Sequence, residues 1–363
     1  MIHNESLQEK RRRLNFLFTY ARYLITVLII VCIIAAFILV TSYAVFRIAF
    51  YNANKVPDDP HRIPKGPRYD ILDREIHQLV SETLAIPFKQ IYITSRDGIK
   101  LAARLYETSP SAPVALLMHG WHGISCRDFA AGLQIHLSKG HNVVLVDERA
   151  HNKSGGHVIS FGIKERYDCL DWINWILTHF GPQTDILLHG VSMGGATVLM
   201  AAGLSLPANV KGIISDSGYT SPKEIICKVC SDYHVKPALA WPFIKIGAKV
   251  FGHFNPEETS ARQAMTANTL PVMFVHGTGD DFVPCVMGDE LYALTKGPKH
   301  QVRVPGAPHV LAYMYDVKAY LTVMDEFCSE ILGPESRPAA ALFAEQDAAY
   351  KKVIEGAVEN GLI

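Results

Sequence analysis

The sequence predicts a doubly wound α/β domain with a mostly parallel sheet and a small helical lid, preceded by one transmembrane helix. Three observations carry this reading. Short apolar runs alternate with amphipathic stretches along most of the 363 residues, the pattern of a parallel sheet covered on both faces. A strand-like run, a G-x-S-x-G turn and an apolar helix follow one another between Asp185 and Leu204. The run from Tyr23 to Phe46 holds no charged side chain.

That run has 24 residues, about 36 Å as a helix and long enough to cross a bilayer with some tilt. Lys10, Arg11, Arg12 and Arg13 precede it and Arg22 stands at its edge. Basic residues stay on the cytoplasmic side, so residues 1–22 read as cytoplasmic, 23–46 as the span, and the main domain as facing outward at the cell membrane. A cleaved signal peptide is the competing reading. Its apolar core is shorter and ends at small residues, whereas this run ends Val45-Phe46-Arg47-Ile48. The cysteines pull against the outward placement: the seven show no disulfide-like spacing, and unpaired thiols suit a reducing compartment.

Residues 47–87 read as a linker and a short helix. Pro57, Pro60, Pro64 and Pro67 stiffen the first part, and Leu72, Ile76, Leu79, Val80 and Leu84 recur at helical spacing. The domain proper reads as 88–332. Phe88–Thr94 and Lys100–Tyr106 flank the turn Arg96-Asp97-Gly98 as a hairpin. Val114–Met118, Asn142–Val146, Asp185–Leu188, Val210–Ile214, Leu270–Val275 and Gln301–Val304 read as buried strands. Arg127–Lys139, Lys164–Phe180, Met193–Leu204 and Leu311–Leu332 read as the helices between and after them. Residues 219–268 interrupt the alternation and read as a lid, with Tyr219, Tyr233, Trp241, Phe243 and Phe251 as lid core or as walls of an apolar pocket. The Ala-rich tail 333–363 reads as helical and carries no functional motif.

Open parallel sheets bind ligands at the carboxyl ends of their strands. One such end carries Gly190-Val191-Ser192-Met193-Gly194. A serine on a sharp strand-to-helix turn exposes its hydroxyl, and glycines two residues to either side make room for the turn. Ser192 is thus the candidate nucleophile. It needs a histidine base held by a carboxylate. His309 follows the last strand and Asp280 the one before it. Asp216 and Asp281 are rival acids, since the first also ends a strand and the second adjoins Asp280. Two backbone N–H groups are needed for an oxyanion: Met193, after the serine, and Trp121, in the loop His119-Gly120-Trp121-His122-Gly123. His122 either faces substrate or caps that loop.

Together these residues resemble the α/β-hydrolase superfamily from about Phe88 to Leu332. Asp147-Glu148-Arg149-Ala150-His151-Asn152-Lys153-Ser154-Gly155-Gly156 is similar to its D-x-R-G-H-G-x-S-x-G segment, with Ala150 and Asn152 in place of two glycines. The continuation Phe161–Asp168 resembles bacterial membrane-anchored hydrolases of the serine aminopeptidase-like and Bem46-like groups. The resemblance implies a Ser192–Asp280–His309 triad, an acyl-enzyme intermediate, and neither metal nor organic cofactor. It does not fix a substrate; a carboxylic ester is the first expectation and a short peptide or amide the second. A membrane-tethered binding protein that has lost turnover is the alternative from another class.

Other chemistries fit less well. The chain carries 35 basic and 35 acidic side chains, without the basic excess of a nucleic-acid binder. Cys227 and Cys230 form a lone C-x-x-C, and His151 and His157 lack a clear third ligand for a metal.

Overall fold

The computed structural model describes residues 2–53, 59–333, 339 and 343–363. Lys55, Pro57 and Asp58 of the linker and most of 334–342 lie outside the described residues. The chain opens with one continuous helix, α1 (Ile2–Ala49), whose described portion from Glu9 is long and apolar enough to cross a membrane. Two short helices follow, α2 (Pro67–Asp70) and α3 (Asp73–Ala85). The domain then alternates strand and helix: β1 (Lys89–Thr94), β2 (Lys100–Tyr106), β3 (Val114–Met118), α4 (Ser125–Asp128), α5 (Ala130–Ser138), β4 (Asn142–Asp147), α6 (Glu165–Phe180), β5 (Ile186–Val191), α7 (Met193–Ala201) and β6 (Val210–Asp216). The stretch read as a lid forms α8 (Pro222–Asp232), α9 (Pro237–Val250) and α10 (Ala261–Ala267). Then come β7 (Val272–Gly277), α11 (Cys285–Leu294), β8 (Lys299–Val304), α12 (Ala312–Tyr315), α13 (Val317–Leu332) and α14 (Ala344–Glu359).

The eight strands form one sheet in the order β1-β2-β4-β3-β5-β6-β7-β8. The β1–β2 and β2–β4 pairs are antiparallel and every later pair is parallel. Neighbouring residues on a strand face opposite sides of the sheet, and both sides are buried. Leu188 and Ile213 pack with Trp172 and Ile173 of α6 and Val198 of α7. Leu187 and Ile214 pack with Val80 of α3 and Leu321 and Met324 of α13. This double burial explains why the central strands read as continuous apolar runs.

From β3 the chain steps to β4 on one side and to β5 on the other. That reversal opens a crevice at the strand ends. Met118, the last residue of β3, lies beside Gly190 of β5, so the loops after the two strands are neighbours.

The lid is tied to α1. Phe243 meets Phe37 edge-on at 6.4 Å, and Phe251 lies 5.1 Å from Tyr43 and 5.9 Å from Phe46. Ser42, Phe46 and Phe50 are buried. The C-terminal part of the charge-free run is therefore packed on protein. The tail is also packed: Tyr313 donates to Gln346 at 2.8 Å, and Tyr350 of α14 is buried.

Candidate active site

Ser192 sits on the turn from β5 into α7 with φ 54° and ψ −116°. A non-glycine residue there is strained, by about 1–3 kcal/mol. The glycines permit it by close approach: a Cβ at Gly190 would overlap the Gly194 carbonyl, and one at Gly194 the Met118 carbonyl. The Ser192 N–H donates to Asp216 O at 2.8 Å, fixing the turn against β6.

Ser192 Oγ lies 2.8 Å from His309 Nε2, and His309 Nδ1 lies 2.6 Å from Asp280 Oδ2. With the proton on Nδ1, the ring donates to Asp280 and leaves Nε2 to accept from the serine hydroxyl. Asp280 is anchored by Oδ1, which accepts from Phe282 N at 3.0 Å and Val283 N at 2.8 Å. Burial works to raise its pKa. The charge of His309 and hydrogen bonds from His276 and His309 outweigh burial and hold the carboxyl well below the usual carboxylate range. His276, which sequence reading passed over, lies 3.3 Å from the same Oδ2 and donates through Nε2 to Val283 O at 2.8 Å. It buttresses the acid from behind.

The rival acids lie elsewhere. Asp216 is buried behind the serine and accepts from Ser217 Oγ at 2.9 Å, and burial pushes its carboxyl up to about 6. Asp281 is exposed, and its carbonyl accepts from Lys228.

Three backbone amides of the loop after β3 have acceptors. Gly120 N donates to Asp128 Oδ2 at 3.1 Å, His122 N to His151 Nε2 at 3.1 Å, and Gly123 N to Gly120 O at 3.0 Å. Among the described residues, no acceptor lies on the Trp121 N–H or on that of Met193, the first residue of α7. The loop abuts the serine: a Cβ at Gly120 would lie 3.7 Å from Ser192 Oγ. The His122 backbone, at φ 49°, is held by the His151 ring, and its own ring lies edge-on to Trp121 at 4.3 Å. The other histidine weighed as a metal ligand, His157, bonds Asn52 O at 3.0 Å and stacks on Tyr51.

Ala150 and Asn152 keep the left-handed backbone that glycine favours, at φ 65° and 41°. Asn tolerates that region, whereas Ala is strained there. The segment is held by Arg149, which makes two 2.6 Å bonds to Asp168 and reaches Asp97 at 2.9 Å.

A cavity of about 450 Å³ opens over Ser192. No residue of the lid stretch 219–268 lines it. Its walls include Trp121, Phe282 and Leu311, and its roof is the linker: Ile63, Pro64, Lys65, Tyr69 and Ile76. The lid aromatics are occupied otherwise. Phe243 and Phe251 pack on α1, Tyr219 donates to Phe161 O at 3.1 Å, Trp241 donates to Glu257 at 3.2 Å, and Tyr233 is exposed. The linker also holds the loops beneath it. Tyr69 Oη donates to His309 O at 3.0 Å and Arg68 Nη1 to Gly279 O at 2.7 Å.

This is the architecture of the α/β-hydrolases, and a family model described as the alpha/beta hydrolase fold matches residues 113–247. The chain has the α/β-hydrolase fold. Among its relatives is the uncharacterized protein YqkD of Bacillus subtilis, 26% identical over 199 residues. That match spans 54% of this chain and 64% of YqkD, just under two thirds of its length. The uncharacterized protein YfhR of Escherichia coli is 23% identical over 68% of this chain and 83% of its own. Among solved structures, an esterase from Pyrococcus furiosus superposes with a TM-score of 0.57 at 19% identity, over 77% of this chain and all of that one. An acylaminoacyl peptidase superposes with a TM-score of 0.52 at 20% identity, over 68% of this chain and 42% of that one.

Proposed function

We propose that the protein is a membrane-anchored serine hydrolase that cleaves a carboxylic ester. The observation that carries this reading is the unbroken hydrogen-bonded succession Ser192–His309–Asp280, beside the Trp121 and Met193 amides, which have no acceptor among the described residues. Ser192 Oγ attacks the ester carbonyl carbon as His309 Nε2 takes the hydroxyl proton. The Met193 and Trp121 N–H groups hold the oxyanion. His309 returns the proton to the departing alkoxide, leaving an acyl-Ser192. Water, deprotonated by His309, then attacks the acyl carbon; the bond to Ser192 Oγ breaks as His309 passes the proton to that oxygen, and the acid leaves. Asp280 keeps the imidazole in the tautomer both half-reactions need and stabilises its charge.

A fluorophosphonate probe tests this. Wild-type protein is labelled and Ser192→Ala is not; a folded wild type that resists the probe would overturn the reading in favour of a binding protein. Nitrophenyl esters assayed beside aminoacyl anilides test the ester preference, and faster anilide turnover would make the enzyme a peptidase. The α1 helix anchors the chain through 23–46, and the basic residues before it favour a cytoplasmic N-terminus and an outward domain. Protease added to intact cells then cleaves beyond residue 51; full protection reverses the orientation.

A further inference from the structure

The α8–α9 hairpin presents apolar side chains to solvent at its tip: Tyr233 is 78% exposed and Leu239 69%. Exposed apolar groups this close together, at the end of one hairpin, mark a contact surface. The packing on α1 indicates what covers them. Phe37, Ser42 and Phe46 of α1 meet Phe243, Gly247 and Phe251 in that order. The helices therefore run side by side in the same direction, and the N-terminal end of α9 points back along α1 toward its own N-terminus. Leu239 precedes Phe243 by one helical turn, so it reaches about the level of Ile33, given about 3.6 residues per turn.

The hydrocarbon core takes about 20 helical residues. If the basic cluster ending at Arg13 lies at one headgroup layer, the core ends near Ile33. If Arg22 lies there instead, the core ends near Ser42. The tip meets hydrocarbon in both placements, at its edge in the first and inside it in the second. Lys249, exposed on the same helix two residues before Phe251, lies just past the hydrocarbon edge in the second placement and suits anionic headgroups.

We infer that the tip of the α8–α9 hairpin is seated in the lipid bilayer beside α1, as a second membrane contact of the domain. This rests on the reading of α1 as a membrane span. The hairpin also touches the wall of the cavity, where Lys228 of α8 binds the Asp281 carbonyl and lies 5.8 Å from the Phe282 ring centre. The bilayer thus sits one helix away from Ser192.

Photo-cross-linking of the full chain in phosphatidylcholine–phosphatidylglycerol liposomes tests the inference. The amino acid p-benzoylphenylalanine is placed singly at Ile30 in α1, at Leu239, and at Val358 in α14, which is exposed on the tail. Phospholipid adducts are expected at Ile30 and Leu239 and none at Val358. An adduct at Ile30 with none at Leu239, or with Leu239 joined to protein instead, overturns the seated hairpin and leaves the anchor standing. Loss of the adduct at Ile30 as well overturns the anchor, and the hairpin contact falls with it.

Discussion

Two carboxylates at the strand ends sit close enough to His309 to be confused in sequence, and single substitutions separate them. Asp280 bonds the imidazole directly, while Asp216 bonds Ser217. If Asp280 orients the base, Asp280→Asn presents the wrong partner to Nδ1 and lowers kcat by about 10⁴, as such changes do in Ser-His-Asp enzymes. Asp216→Asn leaves the His309 bond intact and keeps activity within about tenfold, since it only exchanges the charged acceptor of the Ser217 hydroxyl for a neutral one. Steady-state hydrolysis of a nitrophenyl ester by the two folded variants decides it, and equal losses would reassign the acid. Asp216 was legible as a rival because it ends β6 while Asp280 lies just past the end of β7. The choice between them lies in side-chain direction, which strand spacing does not encode.

At the scale of elements, the linker is the largest departure from sequence expectation. It reads as a spacer, yet it roofs the cavity, and its Tyr69 and Arg68 grip loops 240 and 211 residues away. Tyr69→Phe keeps the ring in the roof and removes only the bond to His309 O. Losing about 1 kcal/mol of positioning lowers kcat roughly fivefold, while an unchanged rate of ester hydrolysis would make the bond incidental. A second element-level dependence is Arg149, which joins the β1–β2 turn at Asp97 to α6 at Asp168. Arg149→Met leaves Asp168 buried without its cation, a change that costs about 3–5 kcal/mol and is read as a lowered Tm in detergent. A third is the α1–α9 contact, where a Cβ at Gly247 would lie 2.6 Å from Ser42 O. Gly247→Val costs about 1–3 kcal/mol of packing but leaves fluorophosphonate labelling of Ser192 in place.

The strands were legible because burial on both faces makes them apolar throughout, but β5 and β6 extend past their apolar runs into His189-Gly190 and Ser215-Asp216. Polar residues at a strand end look like loop in sequence. The stretch Leu311–Leu332 breaks at Asp316, whose side chain caps α13 by accepting from Ala319 N at 3.0 Å; an Asp before an apolar run was the available signal. Helix α11 has no side-chain cap, since Pro284 stands at its start, and it went unread. The roles of the linker and the lid were not legible at all, because they rest on contacts between segments far apart in the chain.

For the whole molecule, formal charge is balanced, so pH sensitivity falls to the buried groups. One cluster is composed of histidines alone. His136 on α5 lies 3.1 Å from His141 Nδ1 and 3.0 Å from His189 Nδ1, and all three are buried. Burial lowers each pKa, to about 4 for His141 and about 3 for His189. An unfolded histidine titrates near 6.5. As pH falls below that value the unfolded chain takes up protons that the folded cluster refuses, so stability drops until the folded values are reached. Buried carboxyls oppose this. Burial pushes the Asp216 carboxyl up to about 6 and that of Asp168 up to about 7, so on acidification the folded state takes up these protons before the unfolded chain and gains stability over the same range. The cluster is therefore tested by difference. His141→Gln removes one titrating group while keeping a polar side chain beside His136. Its stability relative to wild type should improve by roughly 2–3 kcal/mol between pH 7 and pH 4.5, the linkage expected for one depressed histidine. Tm measured for both proteins in the same detergent at the two pH values reads this out; parallel shifts in the two proteins would show that His141 takes up its proton without unfolding.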